Sequence, residues 1–72
     1  MDIQRLISMA NQIGDFYESY PDKSHAEQDI AGHLNKLWAL PMRQQIAKHV
    51  QTQNGEGLHV QVKRAIQAHL QL

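Results

Sequence analysis

His25, Asp29 and His33 recur at four-residue steps and form the most reactive-looking pattern in the chain. On a helix all three project from one face. Two imidazoles and a carboxylate are a workable ligand set for zinc or iron. The spacing argues against a shared ion, because eight residues of helix rise about 12 Å and keep His25 and His33 too far apart to grip one metal. What is left is a single His–Asp neighbour pair, and the set reads as an exposed polar face. No metal site is assigned.

The hydroxyl residues offer less. Ser8, Ser19, Ser24 and Thr52 stand in no nucleophile elbow. Asn54-Gly55-Glu56-Gly57 has two glycines but no lysine-serine after them, so it lacks the parts of a phosphate loop. There is no cysteine, which removes thiolate zinc sites, disulfides and the usual ligands of iron–sulfur clusters. No catalytic or cofactor-binding residue is assigned, and the chain is expected not to be an enzyme.

The elements that carry these side chains are helical by period. A first helix is predicted from Asp2, as cap, to Tyr20, with Ile3, Leu6, Ile7, Ala10, Ile13, Tyr17 and Tyr20 on one stripe and Pro21 as the stop. The second opens on Ser24 and Glu27 as a capping box. It carries Ala26, Ile30, Leu34 and Leu37, with Trp38 at the flank, and ends near Trp38. Pro41 opens the third at its first position, with Met42, Ile46 and Val50 inward. That helix fades in Gln51-Thr52-Gln53 before the loop at 54–57.

The last segment, Leu58 to Leu72, is ambiguous, since Leu58 to Val62 alternates like a strand. A lone strand leaves its backbone unpaired, so the segment is read as a helix with Leu58, Val62, Ala65, Ile66 and His69 on one face. His69 there reads as a hydrogen-bonded core or edge residue. The expected fold is all-α, one domain over 1–72, a bundle of three to four helices with short antiparallel connections.

Size and charge narrow the function. A chain of 72 residues buries only about 60 to 65 per cent of its unfolded surface, so partner-assisted stability is expected. Seven basic residues balance seven acidic ones for a net charge of zero. There is no basic excess for nucleic acid and no repulsion to oppose self-association. No 18-residue apolar run could span a bilayer, and no signal-peptide core is seen at the start. A cytoplasmic protein is expected.

Apolar surface is in excess on the first helix. Met9 and Phe16 widen its arc to about half the circumference, beyond the ~100° stripe that internal packing needs. Both residue types favour contact surfaces, although Phe16 could equally close a small core. Asn11 and Gln12 flank the arc, either solvated or bonding a partner's backbone. Gly14 costs about 1 kcal/mol inside a helix, which points to another backbone close by, internal or a partner's. Trp38, Met42 and Arg43 gather at the corner after the second helix. Tryptophan and arginine are enriched at interface hot spots, yet Trp38 is also the largest core anchor available.

Leu6-Ile7-Ser8-Met9-Ala10-Asn11-Gln12-Ile13-Gly14-Asp15-Phe16-Tyr17, followed by Pro21, resembles the opening of the delta-subunit family of NAD-dependent formate dehydrogenase. Ile30-Ala31-Gly32-His33-Leu34-Asn35-Lys36-Leu37-Trp38 and then Met42-Arg43 are similar to its second block. The likeness is strong over 6–43 and weak over 58–70. It breaks after Trp38, where Ala39-Leu40-Pro41 replaces the family's acid, proline and base, so contacts made through those charges are not carried over.

The resemblance implies an accessory subunit or assembly and maturation factor that acts by protein contact. The larger subunits of such a complex hold the molybdenum or tungsten pterin, the iron–sulfur clusters and FMN. The partner-facing residues expected are Met9, Asn11, Gln12, Phe16, Trp38, Met42 and Arg43. A homodimer in isolation is also expected. The rival from another class is a self-standing dimeric regulator or adaptor unrelated to formate. A third, a metal- or cofactor-handing chaperone, would need the histidine face to be real.

Overall fold

The computed structural model describes residues 1–72 as four helices and no strand: α1 Ile3–Phe16, α2 Lys23–Leu37, α3 Leu40–Gln53 and α4 Val60–His69. None is long and apolar enough to cross a membrane.

Asp2 caps α1 as expected, its carboxylate accepting from the Gln4 N–H at 3.1 Å. The helix stops four residues before Tyr20. Tyr17 N–H donates to Gly14 O at 3.0 Å and Glu18 N–H to Asp15 O at 3.2 Å, so the chain tightens into turns. Pro21 biases Tyr20 away from the helical region, so the helix must end before it.

The cap of α2 is Asp22 rather than Ser24. Its Oδ1 accepts from the Ser24 N–H at 3.0 Å and the His25 N–H at 3.3 Å. A carboxylate at this end satisfies two orphan donors and meets the positive pole of the helix, and Ser24 becomes an interior residue. The inward stripe is Ala26, Ile30, Ala31 and Leu34. Leu37 is not on it and stands 68% exposed.

Helix α3 begins at Leu40, one residue ahead of Pro41, after Ala39 in extended geometry. Ile46 and Val50 are buried, and Met42 is partly so. Asn54 terminates it in the left-handed region (φ 56°), which asparagine tolerates better than most residues.

Helix α4 starts two residues later than expected and ends at His69. Val62, Ala65 and Ile66 are buried. His69 is exposed, because it lies in the last turn, beyond the part of α4 that packs inward.

The main core gathers Leu6, Ala10, Leu34, Trp38, Ile46 and Val62 among others, with a satellite of Ile30, Ala31 and Ala65. Helix α4 packs chiefly on α2. Lys23 and Glu27 lie beside Val60, Gln61 and Arg64 at one end, and Asn35 bonds to His69 and Gln71 at the other. Like ends therefore meet, and α2 and α4 run parallel.

Candidate partner interface

Helix α1 carries two apolar stripes side by side. Leu6, Ile7, Ala10 and Gly14 face inward and are buried. Met9, Ile13, Phe16 and Tyr17, with Gln12 among them, repeat at the same three- and four-residue steps. They form one wall of a groove of about 590 Å³, completed by His33 and Trp38 from α2 and its C-cap.

The groove has a fixed floor and a projecting edge. Trp38 is 5% exposed, since the chain leaves α2 there in extended geometry (φ −88°, ψ 134°) and the ring joins the core with Leu6 and Ile46. Phe16, at the other end, is 77% exposed. It is steadied by an edge-to-face contact with Tyr17 at 5.3 Å, which continues to Tyr20 at 5.0 Å and to His25 at 5.8 Å. Burial raises the Tyr17 phenol above its ordinary value, with Asp29 and Tyr20 adding to the shift.

Of the seven residues expected to face a partner, Met9, Gln12, Phe16 and Trp38 share this groove. The other three are placed elsewhere. Both ends of the Asn11 amide are engaged internally: Nδ2 donates to Gly57 O at 2.9 Å, and Oδ1 accepts from the His59 N–H at 2.9 Å. The same His59 turns its Nδ1 to Asp15 Oδ1 at 3.2 Å. Asn11 thus ties the 54–59 loop down on α1.

Arg43 is a second clamp. Its Nε donates to Gln71 O at 2.9 Å, and Nη1 donates to Trp38 O at 2.7 Å and Asn35 O at 3.1 Å. It caps the carbonyl end of α2 and holds the C-terminal residues. Asn35 completes the lock, donating to His69 O at 3.2 Å and accepting from the Gln71 N–H at 2.9 Å. Met42 packs against the core. No local signal marks Asn35, because its partners lie 34 and 36 residues away. Ile13, Tyr17 and His33 were legible as helical-face residues but not as walls of one groove.

Gly14 does not meet a backbone. A Cβ there would fall inside the Val62 methyl of α4, so the close neighbour is an internal side chain. On the histidine face, His25 Nε2 lies 3.6 Å from Asp29 Oδ2 while His33 turns to the groove. No three His, Asp or Glu side chains converge in a metal-holding arrangement.

A family profile described as NADH-dependent formate dehydrogenase delta subunit (FdsD) matches residues 5–66. No curated protein and no solved structure matches the chain. The profile runs from the first turn of α1 through most of α4 and includes every residue of the groove together with Asn11, Asn35 and Arg43. The chain belongs to the NADH-dependent formate dehydrogenase delta-subunit family.

Proposed function

We propose that the chain is a non-catalytic accessory subunit, or an assembly and maturation factor, of a cytoplasmic molybdenum- or tungsten-containing formate dehydrogenase. It acts by contact with the larger subunits, which carry the pterin, the iron–sulfur clusters and FMN. The observation that carries the reading is the groove between α1 and α2, with Phe16 exposed at its edge and Trp38 in its floor. An apolar groove of this size with a few polar groups (Gln12, Tyr17, His33) suits the insertion of a partner's helix or large side chain. Two further facts support a contact role. The chain has no cysteine to hold a cluster, and a domain this small gains most from docking. The groove residues Met9, Gln12, Phe16 and Trp38 make the contact in this reading, while Asn11, Met42 and Arg43 hold its shape.

The test is affinity purification of the tagged chain from cells expressing the whole complex, beside the singly expressed chain assayed alone. The larger subunits should co-purify, and the lone chain should neither oxidise formate nor retain pterin, flavin or cluster. Stoichiometric cofactor in the lone chain, or no capture of the larger subunits, overturns the proposal.

A further inference from the structure

Asn54-Gly55 is the one Asn-Gly pair in the chain, and it lies outside the groove. An asparagine before glycine is prone to lose its side-chain amide, because no side chain shields the glycine nitrogen from the asparagine Cγ. Attack needs that nitrogen to eclipse Cβ about the Cα–C bond of the asparagine. The nitrogen and Cβ of an L-residue stand about 120° apart around that bond, so the reactive ψ is about −120°. Asn54 has φ 56° and ψ 26°, which turns the Gly55 nitrogen to the side opposite Cβ. Three contacts hold it there. The Asn54 N–H donates to His49 O at the end of α3, and the Gly55 N–H donates to the same oxygen at 3.3 Å. From α4, Lys63 Nζ donates to Asn54 Oδ1 at 2.7 Å, while its stem lies beside the buried Gly55.

We propose that Asn54 is a deamidation site, held closed by the left-handed cap and Lys63 and released when the α3–α4 connection opens. In the open loop the Gly55 nitrogen gives up its proton and bonds to Asn54 Cγ. The bond from Cγ to the side-chain nitrogen breaks, and that nitrogen leaves as ammonia with the proton. The succinimide so formed takes up one water, which opens it at either carbonyl to aspartate or isoaspartate, with no change of oxidation state. Asn54 is exposed, so water has access to the ring. Both products place a new carboxylate near Lys63 and change the net charge from zero to minus one. Isoaspartate also adds a methylene to the main chain and dismantles the cap that ends α3. Asn11 and Asn35 are natural controls. Both lie inside helices, both have Nδ2 and Oδ1 bonded internally, and they precede Gln12 and Lys36 rather than glycine. The site goes beyond the contact role and does not depend on it.

The experiment incubates the full chain in mildly alkaline buffer, folded and in urea, and maps its peptides by mass spectrometry. The mass gain of an amide –NH2 replaced by –OH should appear at Asn54 as two separable products, and not at Asn11 or Asn35 of the folded chain. The folded chain should react about tenfold or more slowly than the unfolded one, because reaction waits on local opening. Lys63→Met keeps the stem beside Gly55 and removes the ammonium, and should speed the folded reaction about threefold or more. Asn11→Ala frees the far end of the same loop and should also speed it, which gives a second measurement if Lys63→Met loses its helicity. Equal rates in the folded and unfolded chain overturn the proposal. So does an Asn54 left unmodified in urea, modification of Asn11 or Asn35 ahead of it, or a folded rate that neither variant raises.

Discussion

Gly14 of α1 sits against Val62 of α4 so closely that a β-carbon on Gly14 would overlap the Val62 Cγ2 methyl. Val62 is fully buried and β-branched, with little rotamer freedom to yield. The two helices cross at this point because one of them has no side chain there.

Gly14→Ala is therefore expected to destabilise. The gain in helix propensity is about 1 kcal/mol, while overpacking a fixed neighbour costs about 1 to 3 kcal/mol. Urea unfolding should show a net loss. Adding Val62→Ala should recover part of it, a coupling visible in a double-mutant cycle. An unchanged midpoint for Gly14→Ala would mean the helices separate freely.

Asn11 and Gln12 should part company on mutation. Asn11→Ala removes two hydrogen bonds to the 57–59 segment and should cost about 1 to 3 kcal/mol, with faster amide exchange at His59. Gln12→Ala is exposed and should leave stability within about 0.5 kcal/mol of the parent. Equal effects from the two would contradict the clamp.

Arg43 should behave as a structural lock. Arg43→Lys keeps the charge but loses the planar fork that serves Gln71, Asn35 and Trp38 together. Thermal unfolding of Arg43→Lys should resemble that of Arg43→Ala more than the parent, with early exchange at Gln71. Full rescue by lysine would show that charge alone matters.

The groove should govern capture of the larger subunits. Phe16→Glu and Met9→Glu are expected to lower their co-purification strongly, since an apolar side chain left unburied forfeits about 1.5 to 3 kcal/mol. His25→Ala, at a ring that meets Tyr20 and Asp29 and does not line the groove, should not. If His25→Ala alone abolishes capture, the docking face lies on the histidine side.

The sequence by itself determined an all-α fold and three of its helices with their order, and left the stretch 58–62 between helix and strand until the structure showed a fourth helix. These are local matters: the three- and four-residue repeat of Leu6, Ile7 and Ala10, the restriction Pro21 places on Tyr20, and the loop signal of Asn54-Gly55-Glu56-Gly57 are all written within a few residues. It also carried the family, through residues 6–43. Errors fell where two local signals compete, as at the start of α2, where Asp22 and Ser24 are both good caps and the carboxylate reaches two N–H groups. Only the tertiary structure decided which polar residues are clamps and which are free. Asn11, Asn35 and Arg43 bond to residues 28 to 48 positions away, and the groove needs walls from two helices. A helical period records which face a residue occupies, but not which helix arrives opposite it. Phe16 and Trp38 have similar apolar character in the sequence, and one is exposed while the other is buried. The difference arises because α1 ends in solvent, whereas the chain turns inward at the end of α2.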